Sequence, residues 1–121
     1  MKDVASDSSV IFYGEIIGVQ KIGRVVAHGE KQEYEITIFP QKVYKGNAKE
    51  RYKFEGYAIY NDTDANTLAL GGCSQDKDLG AKFVVMIEKG KNIDWNWCEK
   101  HVIPSETKQY EYFVKNIQVN L

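Results

Sequence analysis

Glu33-Tyr-Glu-Ile-Thr-Ile-Phe-Pro-Gln-Lys-Val-Tyr-Lys-Gly46 is the stretch that decides the fold. Tyr34, Ile36 and Ile38 recur at every second position, with Glu33, Glu35 and Thr37 between them. Successive side chains of a strand point to opposite faces, so this pattern predicts a half-buried strand with one apolar face. Past Pro40 the next apolar residue is Val43, an odd position where the earlier ones were even. A change of parity needs one extra residue, which predicts a bulge or sharp bend at Pro40-Gln41. A long strand bent in its middle can serve two sheets at once, as strands of small closed barrels do. The expectation is a mainly β fold built as a small barrel.

Upstream, Ser9 to Gln20 reads as a first strand. Its apolar residues occupy both parities, which implies burial on both sides or a change of sheet along its length. Gly14 and Gly18 mark places where the strand coils tightly or another backbone approaches. Residues 22–31, with Gly23 and Gly29, form the connection of a long hairpin. Residues 1–8 are polar and read as a loose tail.

Downstream, Lys45-Gly46-Asn47 turns the chain. Tyr52, Phe54 and Gly56 alternate with Lys53 and Glu55, giving a third strand over about 50–58. Residues 61–72 read as a loop with a short strand at 67–70, and 76–80 as a turn. Lys82 to Glu88 is the most apolar run and reads as a central strand. After a hairpin loop at 89–92, residues 92–98 return as the fifth strand. Ser105 caps a final helix with Glu106 in its first turn. Tyr110, Phe113, Ile117 and Leu121 fall at i, i+3, i+7 and i+11, one apolar face of an amphipathic helix packed on the barrel.

The chain of 121 residues reads as one domain, 1–121, long enough to bury a core without staples. Eight Tyr and five Phe against two Pro lean toward β. A net charge of −1 with both signs interspersed argues against the basic footprint of a nucleic-acid binder. No apolar run reaches the length of a membrane span. Met1-Lys2-Asp3-Val4-Ala5-Ser6 has no apolar core and is not a signal peptide. That leaves a cytosolic protein or the mature part of an exported one, and two cysteines do not choose between them.

No catalytic constellation stands out. His28 and His101, the two histidines and the residue type most used as a general base, both read as surface residues. Cys73, Cys98 and a His lack the close spacing and the fourth ligand of a structural zinc site. Asp62-Thr-Asp64-Ala-Asn66 opens like a calcium loop. The positions that then need Gly and a bidentate Glu hold Thr67 and Cys73, so a solvated loop is expected and neither metal nor cofactor. Asn61-Asp62-Thr63 is a glycosylation sequon, meaningful only in an exported eukaryotic protein. Ile93, Trp95 and Trp97 share one strand face; such a stripe is usually core, with Trp97 nearest the surface. Cys73 and Cys98 flank the central hairpin. A disulfide between them requires Cα atoms within about 7 Å and would contribute about 3 kcal/mol; two buried thiols are the other reading.

The order of these segments resembles a known family. Ser9-Val-Ile-Phe-Tyr-Gly-Glu-Ile16 is followed by Tyr34-Glu-Ile-Thr-Ile38, then Val43-Tyr44-Lys45-Gly46 and Gly72-Cys73. Leu79-Gly80-Ala-Lys-Phe83-Val-Val-Met86 and Ile93-Asp-Trp-Asn-Trp-Cys98 complete it. This is similar to the netrin-like module, the OB-fold of the tissue inhibitors of metalloproteinases (TIMP-like) and their bacterial relatives, over about 9–98. The resemblance implies a five-stranded Greek-key OB-fold barrel with a C-terminal helix. It also implies a secreted or periplasmic protein whose signal peptide has been removed, and protein binding rather than catalysis. Inhibitors of the family place an N-terminal Cys-x-Cys on the protease zinc and bridge both cysteines to the barrel. Cys73 and Cys98 match the barrel-side partners, while this sequence opens Met1-Lys2-Asp3, so zinc-directed inhibition is not expected of it.

The functional expectation is a non-enzymatic module that meets a protein partner through segments 57–72 and 97–101. Its surface would include Tyr57, Tyr60, Asp62, Asp64, Trp97 and His101. The alternative is an OB-fold that binds oligosaccharide or single-stranded nucleic acid on Tyr52, Phe54, Trp95 and Trp97.

Overall fold

The computed structural model describes residues 2–24, 26–27, 29–59, 67–70, 73–76, 79–90 and 101–121. In chain order the elements are α1 (Lys2–Asp7), β1 (Ser8–Ile22), β2 (Lys31–Lys45), β3 (Tyr52–Ile59), β4 (Thr67–Leu70), β5 (Cys73–Asp76), β6 (Lys82–Glu88), β7 (Val102–Pro104) and α2 (Lys108–Asn116). A 3-10 turn, Gln118–Asn120, ends the chain. Among the described residues the main sheet is antiparallel, in the order β3-β2-β1-β6-β7, with no pairing from β3 to β7. β4 and β5 pair as a separate ribbon, with β4 alongside β3. β5 and β7 were not expected; the strand expected over 92–98 lies outside the described residues.

β1 is the centre. It pairs with β6 from Ser8 to Glu15 and with β2 from Ile11 to Ile22. Its apolar residues on both parities follow from that position. Phe12 and Ile16 join Tyr34, Ile36, Ile38, Phe54, Phe83, Val85 and Val102 in one core. Ile11 joins Val84, Met86, Ile103, Phe113 and Ile117 in a second core, on the alternate residues of the same strands. β6 supplies both cores by turns, Phe83 and Val85 to one and Val84 and Met86 to the other, so its sequence is a continuous apolar run. The first half of β2 feeds only one core, so its sequence alternates. Each fully buried Phe, Ile or Val contributes on the order of 2 kcal/mol.

The predicted bulge is present. The β1–β2 register steps from Tyr13–Lys42 to Gly14–Pro40, passing over Gln41. Two further irregularities pass over Tyr44 and Ile17, so the hairpin bends more than once. Gly14 is a point of close approach: a Cβ there would come within 2.9 Å of Ile38 Cγ1 and 3.0 Å of the Phe39 carbonyl oxygen. At Gly18 a Cβ would meet only ordinary contacts with Thr37, so that glycine marks a bulge rather than a crowded backbone.

Two expectations at the ends are corrected. The tail expected to be loose over 1–8 is helical over Lys2–Asp7. Val4 and Ala5 are buried in the second core, and that apolar pair is what the polar average of the segment hides. Lys45 Nζ donates to the carbonyls of Ala5 (3.1 Å) and Ser6 (3.2 Å), satisfying the helix's last turn. Ser8 Oγ donates to the Val4 carbonyl at 2.6 Å. At the other end the cap of α2 is Thr107, not Ser105. Thr107 Oγ1 accepts from the Tyr110 N–H at 3.2 Å and donates to the Pro104 carbonyl at 2.8 Å. Glu106 precedes it in the left-handed region, φ 62°. Of the predicted apolar face, Phe113 and Ile117 are buried and Tyr110 is half-buried. Leu121, beyond the helix, is exposed.

Candidate binding surfaces

The expected surface is only partly within view. Tyr57 lies on β3, half-buried, with the Lys31 ammonium 3.8 Å from its ring centroid. That is a cation–π contact between adjacent strands, β2 and β3. Tyr60, Asp62, Asp64 and Trp97 lie outside the described residues, as do His28, Trp95 and Cys98. Cys73 opens β5, and a Cys73–Cys98 bond involves a residue outside the described ones.

His101 is corrected from surface to interior. It is 3% exposed, and its Nε2 lies 3.1 Å from Glu88 Oε1. An ionised carboxylate only accepts, so the imidazole donates from Nε2. The backbone is tied as well, since the His101 carbonyl accepts from Met86 N–H at 2.8 Å. The residue therefore joins the end of β6 to the start of β7 and presents no open imidazole to a partner.

Tyr52 and Phe54 are also placed differently from an exposed stacking pair. Phe54 is buried and belongs to the first core. Tyr52 is half-buried and stacks on Phe12, centroids 4.9 Å apart and planes 15° apart; it lies parallel to Phe54 at 6.0 Å. Its hydroxyl accepts from the Lys49 N–H at 2.9 Å. These rings are spent on internal packing.

Around Tyr52 lies a surface feature that was not anticipated. A groove of about 740 Å³ runs between the start of β3, the start of β1 and the end of β6. Lys49, Arg51 and Lys53 line it, with Glu55 as its one acidic residue. The signal in sequence was the alternation of cations with Tyr52 in Lys49-Glu-Arg-Tyr-Lys53, which also reads as an ordinary solvated face. A second groove, about 620 Å³, lies where α1, the end of β2 and the C-terminal turn meet, beside Ala5, Tyr44, Lys45 and Ile117. Burial raises the pKa of Tyr44, and the neighbouring phenols of Tyr110 and Tyr13 add to the rise; burial also raises that of Tyr34. Among the described residues no cluster of three or more His, Cys, Asp and Glu side chains is placed to hold a metal ion. Nor is any helix among them long and apolar enough to cross a membrane. No protein-family model matches the chain, and no curated protein matches it.

Proposed function

We propose that this chain is a non-enzymatic, protein-binding module of netrin-like, OB-fold type that works outside the cytoplasm. The observation that supports it is the long β1–β2 hairpin, bulged at Gln41 and again at Tyr44 and Ile17, with β1 between β2 and β6. Bulged, strongly bent strands are the device by which a small sheet curls toward a barrel. The same hairpin carries the first three segments of the netrin-like resemblance. In this reading the partner meets segments 57–72 and 97–101, of which Tyr57 is described on β3. The warrant is analogy of fold.

The test is affinity capture from an envelope or secreted-protein extract, on wild type and on Tyr57→Ser. A protein retained by the wild type and lost by the variant, with both giving the same circular dichroism, supports the reading. A column that retains nothing above a matched blank overturns it. Saturable quenching of tryptophan fluorescence by single-stranded DNA or by chitin and glucan oligomers overturns it in favour of a nucleic-acid or sugar binder. A thiol count on denatured protein addresses the compartment: no free thiol without reductant agrees with export, two free thiols oppose it.

A further inference from the structure

We propose that the groove beside Tyr52 is a docking site for an extended, acidic polypeptide segment. The inference rests on the protein-binding reading above and adds a second contact for that partner, because the groove lies at the start of β3 and Tyr57 near its end. Lys49 and Arg51 are exposed, and among the described residues neither has a carboxylate within ion-pair distance. Lys53 pairs only loosely with Glu35, at 3.7 Å and with its own side chain two-thirds exposed. Exposed pairs of that kind are weak and exchange readily. The groove therefore holds positive charge that the fold does not use, in a chain whose net charge is −1.

Two alternative occupants fit less well. Bases and sugar rings are gripped by stacking on open aromatic faces. Here Tyr52 is stacked on Phe12, its hydroxyl is engaged by Lys49 N–H, and the Lys49 ammonium stands 5.9 Å from its ring. The groove can read charge but has little aromatic face to offer. An extended peptide needs no such face. Its alternate side chains repeat at about 7 Å, the same interval that separates residues i and i+2 of a strand. Arg51, just before β3, and Lys53 on it are two residues apart, so two acidic residues at alternate positions of a partner segment come opposite them, and Glu55 marks the end of the cationic stretch. Arg51 adds the planar fork that takes a carboxylate through two parallel bonds.

The experiment is a fluorescence-anisotropy titration of the whole chain with a labelled Glu-Ser-Glu-Ser-Glu peptide at low salt. Saturable binding is expected, about tenfold weaker in the Lys49→Gln/Arg51→Gln variant and strongly weakened at about 0.5 M salt. Both positions are exposed, so the variant keeps the wild-type circular dichroism and thermal midpoint. A Gln-Ser-Gln-Ser-Gln peptide is expected not to bind. Absence of binding to the acidic peptide, or equal binding by the variant, overturns the proposal. So does tighter binding of oligothymidylate or a sulfated oligosaccharide than of the peptide. In the capture experiment, a partner held equally by wild type and by Lys49→Gln/Arg51→Gln overturns this inference while leaving the protein-binding reading intact.

Discussion

His101 donates to Glu88 across 3.1 Å, with side-chain exposures of only 4% and 13%. The two residues are thirteen apart in sequence, and their meeting closes the path from β6 to β7. A buried donor or acceptor that loses its partner bears its full desolvation cost. Replacing either residue with Ala should therefore cost about 1–3 kcal/mol. Urea denaturation gives the check: a loss under about 0.5 kcal/mol, the ordinary surface value, would mean that the pair does not hold this corner together.

Gly46 and Gly90 offer a matched comparison. Both have positive φ, 73° and 74°. At Gly90 a Cβ meets nothing within 4 Å, whereas at Gly46 it would run into the Ser9 carbonyl oxygen. Gly90→Ala should cost about 1 kcal/mol, the conformational term alone. Gly46→Ala should cost clearly more, about 2–4 kcal/mol, because backbone rather than a flexible side chain must give way. Equal losses in thermal denaturation would show that β1 and the turn after β2 are not held at the distance described.

Alkaline pH should weaken the fold. The phenols of Tyr34 and Tyr44 are held neutral by burial, so their pKa values in the folded state lie above those of the unfolded chain. The folded chain then binds more protons than the unfolded one once the pH exceeds the unfolded value of about 10. The stabilisation is complete below that value and is lost as pH rises through the folded one. Tyr44→Phe and Tyr34→Phe should each flatten the fall in unfolding free energy between about pH 9 and 11. An unchanged slope in both variants would place those hydroxyls in water.

What sequence could show depended on whether a signal was local. The alternation at Tyr34, Ile36 and Ile38 is a property of neighbouring residues and reappears in the burial of β2; the bulge at Gln41 is present as well, although Val43, whose parity pointed to it, is exposed. The unbroken apolar run of β6 likewise announced burial on two faces. His101 was misplaced because its partner, Glu88, stands on another element; nothing beside it in sequence signals burial. Ser105 and Thr107 are both good caps, and the choice fell to Thr107 because its hydroxyl also reaches the Pro104 carbonyl. α1 was missed because two small apolar residues, Val4 and Ala5, suffice to seat it once Lys45 supplies the bonds to its last carbonyls. Of the expected binding surface, Tyr57 stands half-buried on β3 beside Lys31, and Tyr60, Asp62, Asp64 and Trp97 lie outside the described residues. The groove cations escaped notice because Lys49, Arg51 and Lys53 are interleaved with Glu50 and Glu55, and only the fold separates the exposed pairs from the unpaired charges.

Glu106 provides the last prediction, in which a substitution should stabilise. Its φ of 62° makes it the one described non-glycine residue in the left-handed region. It stands immediately before the cap of α2, where the chain must reverse from β7 within three residues, 105–107. A residue with a Cβ costs roughly 1–2 kcal/mol in that conformation. Glycine removes the cost but gives the unfolded chain more freedom, which returns about 0.5–1 kcal/mol. Glu106 is exposed, and its own side chain has no described partner to lose. The balance favours Glu106→Gly by about 0.5–1 kcal/mol, readable as a rise in the urea midpoint at unchanged slope. Glu106→Val should move the midpoint the other way, because a β-branched side chain tolerates this φ least. If Gly and Val shift it in the same direction, backbone conformation is not what limits stability at this turn.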